Sequence, residues 1–300
     1  MESRMSKKFR WSHLPSLLIT TYKAWIGDDP FRLSAIVAYY AVLSLPALLI
    51  IILNIVGSIW GTEVVQGQLT DEFTIALGKD AAASIEGMVV ESQNEEKNLI
   101  STLIGIGTLL FGATGVFYQL KVSLNQIWNI KPNPKTVVKK IIIDRARSFA
   151  FILVIGFLLL ISFILTTAIT ALSDYISSNL PEVLLYLAYT IDFIISIGII
   201  SVLFALMFKY LPDAKIRWKT VWIGAFLTAF LFVLGKLFLS LYFAQMEPGS
   251  TYGAAGTIVL ILLWVSYSCL ILFFGAEFTY VYANRYGSGI QPNAIAISKE

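Results

Sequence analysis

The stretch LFVLGKLFLSLYF, residues 231–243, sets one lysine, Lys236, among residues that otherwise read as hydrocarbon. An ammonium group in such a place pairs with an acid, stretches to the bilayer edge, or holds a substrate or proton. Asp192 in YTIDFIIS, Asn54 in IILNIVG and Glu277 in FGAEFTY raise the same question. By helix rise, Lys236 lies roughly 10 Å in from the end of its stretch, and Asp192 lies about as deep in its own. This depth matching favours an Asp192–Lys236 pair over snorkelling or a substrate site, with Asn54 joining it. Glu277 stands near the opposite end, level with Arg145 and Arg147 and with Arg32, and is expected to bond one of these guanidinium groups.

Other chemistries lack their residues. The sole cysteine, Cys269, sits in an apolar run, and the sole histidine, His13, has no cluster able to hold zinc. Gly235-Lys236 is followed by Leu and lacks the glycine that opens a phosphate-binding loop, while GIGTLLFG misses the dinucleotide spacing. No catalytic residue, metal site or cofactor is therefore expected. RNA hydrolysis would need an acid–base pair or metal-binding carboxylates, and Asp28, Asp29, Asp144 and Asp213 are far apart in sequence. Ribonuclease activity and a nucleic-acid partner are not expected.

The elements that position these groups follow from composition. The chain has 300 residues, 57% apolar and 14% charged, with a mean hydropathy of +0.76. A spanning helix needs about 20 mainly apolar residues. Stretches 33–60, 99–119, 149–170, 184–208, 221–243 and 254–282 meet that length. They are continuous, unlike the alternating segments of a barrel. The fold class is all-α: a polytopic membrane protein with six transmembrane helices. No cleavable signal peptide is expected ahead of them.

Charge sets the orientation. Nineteen of the 22 Lys and Arg residues fall on the side of the termini; Lys79 and Lys97 fall on the other, and Lys236 lies in the membrane. The positive-inside rule then makes both termini cytoplasmic. Residues 1–32 form a cytoplasmic N-terminus, with Leu14, Leu17, Leu18, Tyr22 and Trp25 on one face of a helix lying in the interface. Residues 33–283 form the transmembrane domain, and 284–300 a cytoplasmic tail. An external insertion, 61–98, carries eight acids and helical spacing at Val65, Leu69, Phe73, Ala76 and Leu77.

Two spans carry helix-interrupting residues. Pro46 frees a carbonyl in the first, and Gly105, Thr108, Gly112 and Gly115 form a small-residue stripe in the second. Such stripes let helices pack closely; they also permit unwinding around a groove.

Four stretches, LSAIVAYYAVLSLPALL, FGATGVFYQLKVSLNQIWNI, YLPDAKIRWKTVWIGAFLTAFLFVLGK and YGAAGTIVLILLWVSYSCLILFFGAEFTYVYA, resemble in order the YihY/BrkB family of bacterial inner-membrane proteins. The resemblance runs from about Trp25 to Tyr286 and implies six helices and an inner-membrane location. Its labels, virulence factor and ribonuclease BN, bring no settled activity. The expected function is transporter-like, moving an unknown small molecule or lipid across the bilayer. The alternative is a non-transporting scaffold in envelope maintenance.

Overall fold

A computed structural model describes residues 10–93, 99–132, 143–158, 161, 182–246, 255–293 and 296–298. Among these the chain is mostly helical. A short 3-10 turn, Trp11–His13, leads into α1 (Leu14–Gly27), then α2 (Pro30–Trp60), α3 (Thr62–Leu77), α4 (Lys79–Gln93) and α5 (Leu99–Ile127). Helix α6 covers 143–158. It is followed by α7 (Glu182–Tyr210), α8 (Trp218–Met246) and α9 (Gly256–Tyr286).

The breaks have local causes. Asp28-Asp29-Pro30 ends α1 and starts α2: Asp29 takes a left-handed φ of 55°, which a short polar side chain tolerates, and Pro30 supplies the preset first-turn φ of the next helix. Gly61 (φ 95°) and Gly78 (φ 89°) turn the chain into and out of α3 where a side chain would be strained. Helix α2 is continuous through Pro46, and α5 through Gly105, Thr108, Gly112 and Gly115.

Three helical stretches among the described residues are long and apolar enough to cross a membrane: Phe193–Tyr210, Trp218–Phe243 and Gly256–Tyr286; Pro30–Leu45 is a shorter apolar stretch. Helix α2 packs on α5 and α9, and α8 packs on α7 and α9. The α3–α4 hairpin covers one end of α2, α8 and α9. The α8–α9 seam is tight because glycine faces threonine twice. A Cβ on Gly224 would fall 1.8 Å from Thr279 Oγ1, and one on Gly275 would fall 1.8 Å from Thr228 Oγ1. Each threonine hydroxyl donates back to the glycine carbonyl one turn earlier, at 2.7 Å, so neither is left wanting a partner.

Helix α1 lies on α9, with Leu17 buried against Phe278 and Tyr286 and the Trp25 ring edge-on to Phe274. His13 Nδ1 sits 2.9 Å from the Tyr286 hydroxyl. Leu18 and Trp25 turn partly inward, whereas Tyr22 joins Ile19 and Ile26 on the exposed side. Apolar residues therefore flank α1 on both sides.

Four short strands lie at the opposite end from the hairpin: β1 (Ile130–Pro132), β2 (Ala214–Lys215), β3 (Gln291–Pro292) and β4 (Ala296–Ser298). Antiparallel pairing joins β1 to β4 and β2 to β3, so the C-terminal segment is clipped to both linkers. These strands differ from an all-helical expectation. Two or three residues are too short to carry an alternating pattern, and long-range pairing alone makes them strands.

Candidate functional site

Helix α5 ends in the order Lys121, Asn125, Trp128, so one side of its last turns meets α6, the 211–213 loop and α9. Trp128, buried, donates its indole N–H to the Ala276 carbonyl of α9 at 3.0 Å and fixes the position of that end. One turn earlier, Asn125 reads the backbone and side chain of Asp213 together. Its Oδ1 accepts from the Asp213 N–H at 2.8 Å, and its Nδ2 donates to Asp213 Oδ2 at 3.2 Å.

One turn further back, Lys121 bridges two carboxylates. Its Nζ lies 2.9 Å from Asp213 Oδ1 and also contacts Asp144 Oδ1 on α6. Arg147, one turn along α6 from Asp144, donates Nη1 to Asp213 Oδ1 at 3.1 Å. Lys121, Asp144 and Asp213 are 2%, 3% and 0% exposed. Among the described residues each buried acid meets a cation, which is the condition under which buried charge is tolerated. Three chain segments are thus held by one charge network, and the Asn293 N–H of the C-terminal segment donates to the Asp213 carbonyl at 2.9 Å.

Beside this network opens a cavity of about 470 Å³, between α6 and α7 and touching the 212–214 loop and Asn293. Arg147 and Lys209 give it cationic walls, and Phe151, Val154, Leu206 and Ala150 give it apolar ones. Lys209 donates to the Ile216 carbonyl at 2.6 Å and lies 5.5 Å from the Trp218 ring centre. The volume falls in the range of small-molecule sites.

The residues singled out from sequence are distributed as follows. Arg147 belongs to the buried network. Arg145 Nη1 donates to Thr114 Oγ1 of α5 at 2.7 Å, and its guanidinium lies 5.7 Å from the Tyr118 ring centre. Arg32 bonds Asp29 at 2.8 Å on the surface. Glu277, 2% exposed, faces the carboxyl of Asp28. Its Oε2 meets no donor among the described residues. The partner found for Glu277 is therefore an acid instead of the expected arginine. The reason is geometric: Arg147 is drawn to Asp213 across α6, and the α1–α2 break delivers Asp28 to α9.

Lys236 lines a cleft of only about 10 Å³ with Phe232, Leu239, Trp264, Tyr267, Ser268 and Ile271. The side chains of Asp192 and Asn54 lie outside the described residues, and so does the proposed pair with Lys236. The side-chain surroundings of Pro46, Gly105 and Thr108 also lie outside them. Gly112 is half-buried. Gly115 faces α2, where a Cβ would meet Ser44 Oγ and Tyr40 Cδ1 at 3.4 Å, a helix-packing contact.

Sequence reading passed over Lys121, Asn125, Asp144 and Asp213 as a site. In sequence Lys121 is one of the nineteen cations on the side of the termini. The signal that would have marked it is an apolar neighbourhood, GVFYQLKVSL, with an amide one turn further on.

Residues 21–296 match the family model described as "Virulence factor BrkB". Curated relatives share the printed name UPF0761 membrane protein. The one from Aliivibrio fischeri is 25% identical over 288 residues, covering 93% of this chain and 86% of the relative. That from Mannheimia succiniciproducens is 27% identical over 221 residues, covering 70% and 68%. That from Methylibium petroleiphilum is 25% identical over 213 residues, covering 70% of this chain but 49% of the relative. The matched segment is 40% of the length of the Verminephrobacter eiseniae and Delftia acidovorans relatives. No solved structure matches the chain.

Proposed function

Since this chain belongs to the virulence factor BrkB family of membrane proteins, we propose that it is transporter-like, moving a solute or lipid across the bacterial inner membrane. In this reading six helices span the bilayer and both termini are cytoplasmic, on the bias of Lys and Arg toward the terminal side. Helix α1 then lies in the cytoplasmic interface, its Leu17 side on α9 and its Ile19, Tyr22 and Ile26 side toward lipid.

The observation that carries the reading is the cavity of about 470 Å³ set against a buried charge network. Arg147 belongs to both. A ligand that draws Arg147 off Asp213 weakens the contact between α6 and the 211–213 loop, so occupancy and helix position are coupled through one side chain. Transport would thus be organised at the cytoplasmic end, and the small cleft at Lys236 would be a packing detail. The reading assigns no catalysis, since Asp144 and Asp213 are engaged by Lys121, Arg147 and Asn125.

Access to Val154 tests it. In a Cys269→Ser background, Val154→Cys should react with an impermeant thiol reagent from the cytoplasmic side and, in a fraction of molecules, from the outer side. Reaction from one side only would favour the scaffold. The surface for such a scaffold is the α3–α4 hairpin, with Glu63 and Asp71 exposed.

A further inference from the structure

We propose that the cavity between α6 and α7 binds one anionic lipid, its charged head at Arg147 and Lys209 and its hydrocarbon along Phe151, Val154 and Leu206. The proposal deepens the transporter reading and rests on it for purpose, but not for its test. Three observations on the cavity walls carry it.

The first is charge. Among the described residues Arg147 and Lys209 line the cavity and no acid does. Asp213, between the lining residues Pro212 and Ala214, is fully buried and held by Lys121, Asn125 and Arg147. Arg147 uses Nη1 on Asp213 and Lys209 one proton on the Ile216 carbonyl. A guanidinium has five N–H donors and an ammonium three, so both groups have donors left for an anion.

The second is the gradient. Val154 lies seven residues beyond Arg147 on α6, roughly 10 Å at 1.5 Å per residue, and Leu206 lies one turn inward of Tyr210 on α7. The walls thus pass from cationic at the linker end to wholly apolar toward the middle of the spans. A chain-free anion would leave Phe151, Val154 and Leu206 unfilled, and a neutral amphiphile would leave the cationic donors unanswered. Only a molecule with both parts matches both ends.

The third is volume. About 470 Å³ holds a head group and the first part of an acyl chain, with the rest lying outside along α6 and α7.

The test uses the purified full chain in a neutral maltoside detergent, with binding followed by calorimetry. The probes are dioctanoyl phosphatidylglycerol, dioctanoyl phosphatidylcholine and inorganic phosphate. The anionic lipid should bind at least 10-fold more tightly than the zwitterionic one, and phosphate should neither bind nor compete. Lys209→Gln removes a charge and Ala150→Phe fills the cavity; each should weaken phosphatidylglycerol at least 10-fold while leaving the thermal midpoint near that of the parent. Equal affinity for the two lipids, binding unchanged in both variants, or effective competition by phosphate would overturn the proposal, the last by assigning the site to a soluble anion. The two readings fail separately. One-sided labelling of Val154→Cys with selective lipid binding removes transport and keeps the site; two-sided labelling without binding does the reverse.

Discussion

Lys121 Nζ lies 2.9 Å from Asp213 Oδ1 although Lys121 stands on α5 and Asp213 in the loop after α7, far apart in sequence. The contact recruits Asp144, Asn125 and Arg147 and ties α5, α6 and the 211–213 loop into one unit.

Removing the lysine takes away the cation that buried Asp144 contacts and one of those that buried Asp213 contacts. Lys121→Met should therefore lower stability by about 3–5 kcal/mol, the scale known for stranding a buried charge. Thermal unfolding in detergent would show it as a clear drop in midpoint. Lys121→Met combined with Asp144→Asn should recover part of the loss. A single variant as stable as the parent would mean that the network is hydrated in the membrane.

The α8–α9 seam makes a prediction about volume. Gly275→Ala puts a methyl group on top of Thr228, and relief requires the helices to separate. A loss of about 1–3 kcal/mol is expected for overpacking. Adding Thr228→Ala, which removes the hydroxyl in the way, should restore much of it. If the double variant is no better than the single, the seam is not the cause.

Asp28 and Glu277 bring two carboxyl groups face to face. Glu277→Gln replaces one of them by an uncharged amide with N–H donors, so the variant should accumulate and unfold like the parent. Glu277→Lys, in contrast, should be harmful in a pocket shaped for a carboxyl. Poor accumulation of Glu277→Gln would show that the ionised carboxylate matters.

Orientation can be read from exposed positions at the two ends. In a Cys269→Ser background, Lys79→Cys on α4 should react with an impermeant thiol reagent from outside, and Lys215→Cys on β2 only after the membrane is opened. The opposite pattern would invert the topology.

The Glu277 and Lys121 sites show where sequence reading reached its limit. Burial of Glu277 was legible, because an acid inside FFGAEFTYVY has no nearby water. Its partner was not, because the choice among Arg32, Arg145, Arg147 and Asp28 depends on how α1, α6 and α9 are rotated about their axes. Lys121 reads in sequence as one more cation of the terminal side, and its burial depends on α6 and the 211–213 loop closing over it.

By itself the sequence determined that this is a membrane protein built mainly of helices, because partition into lipid depends on the summed apolarity of each stretch, a property every segment carries locally. The α1–α2 break at Asp28-Asp29-Pro30 was fixed in the same local way. Only the tertiary structure decided that Lys121 meets Asp144 and Asp213, that Gly224 and Gly275 face Thr279 and Thr228, and that the C-terminal segment clips onto both linkers. Each of those contacts joins residues from separate segments, and its energy exists only once those segments are side by side.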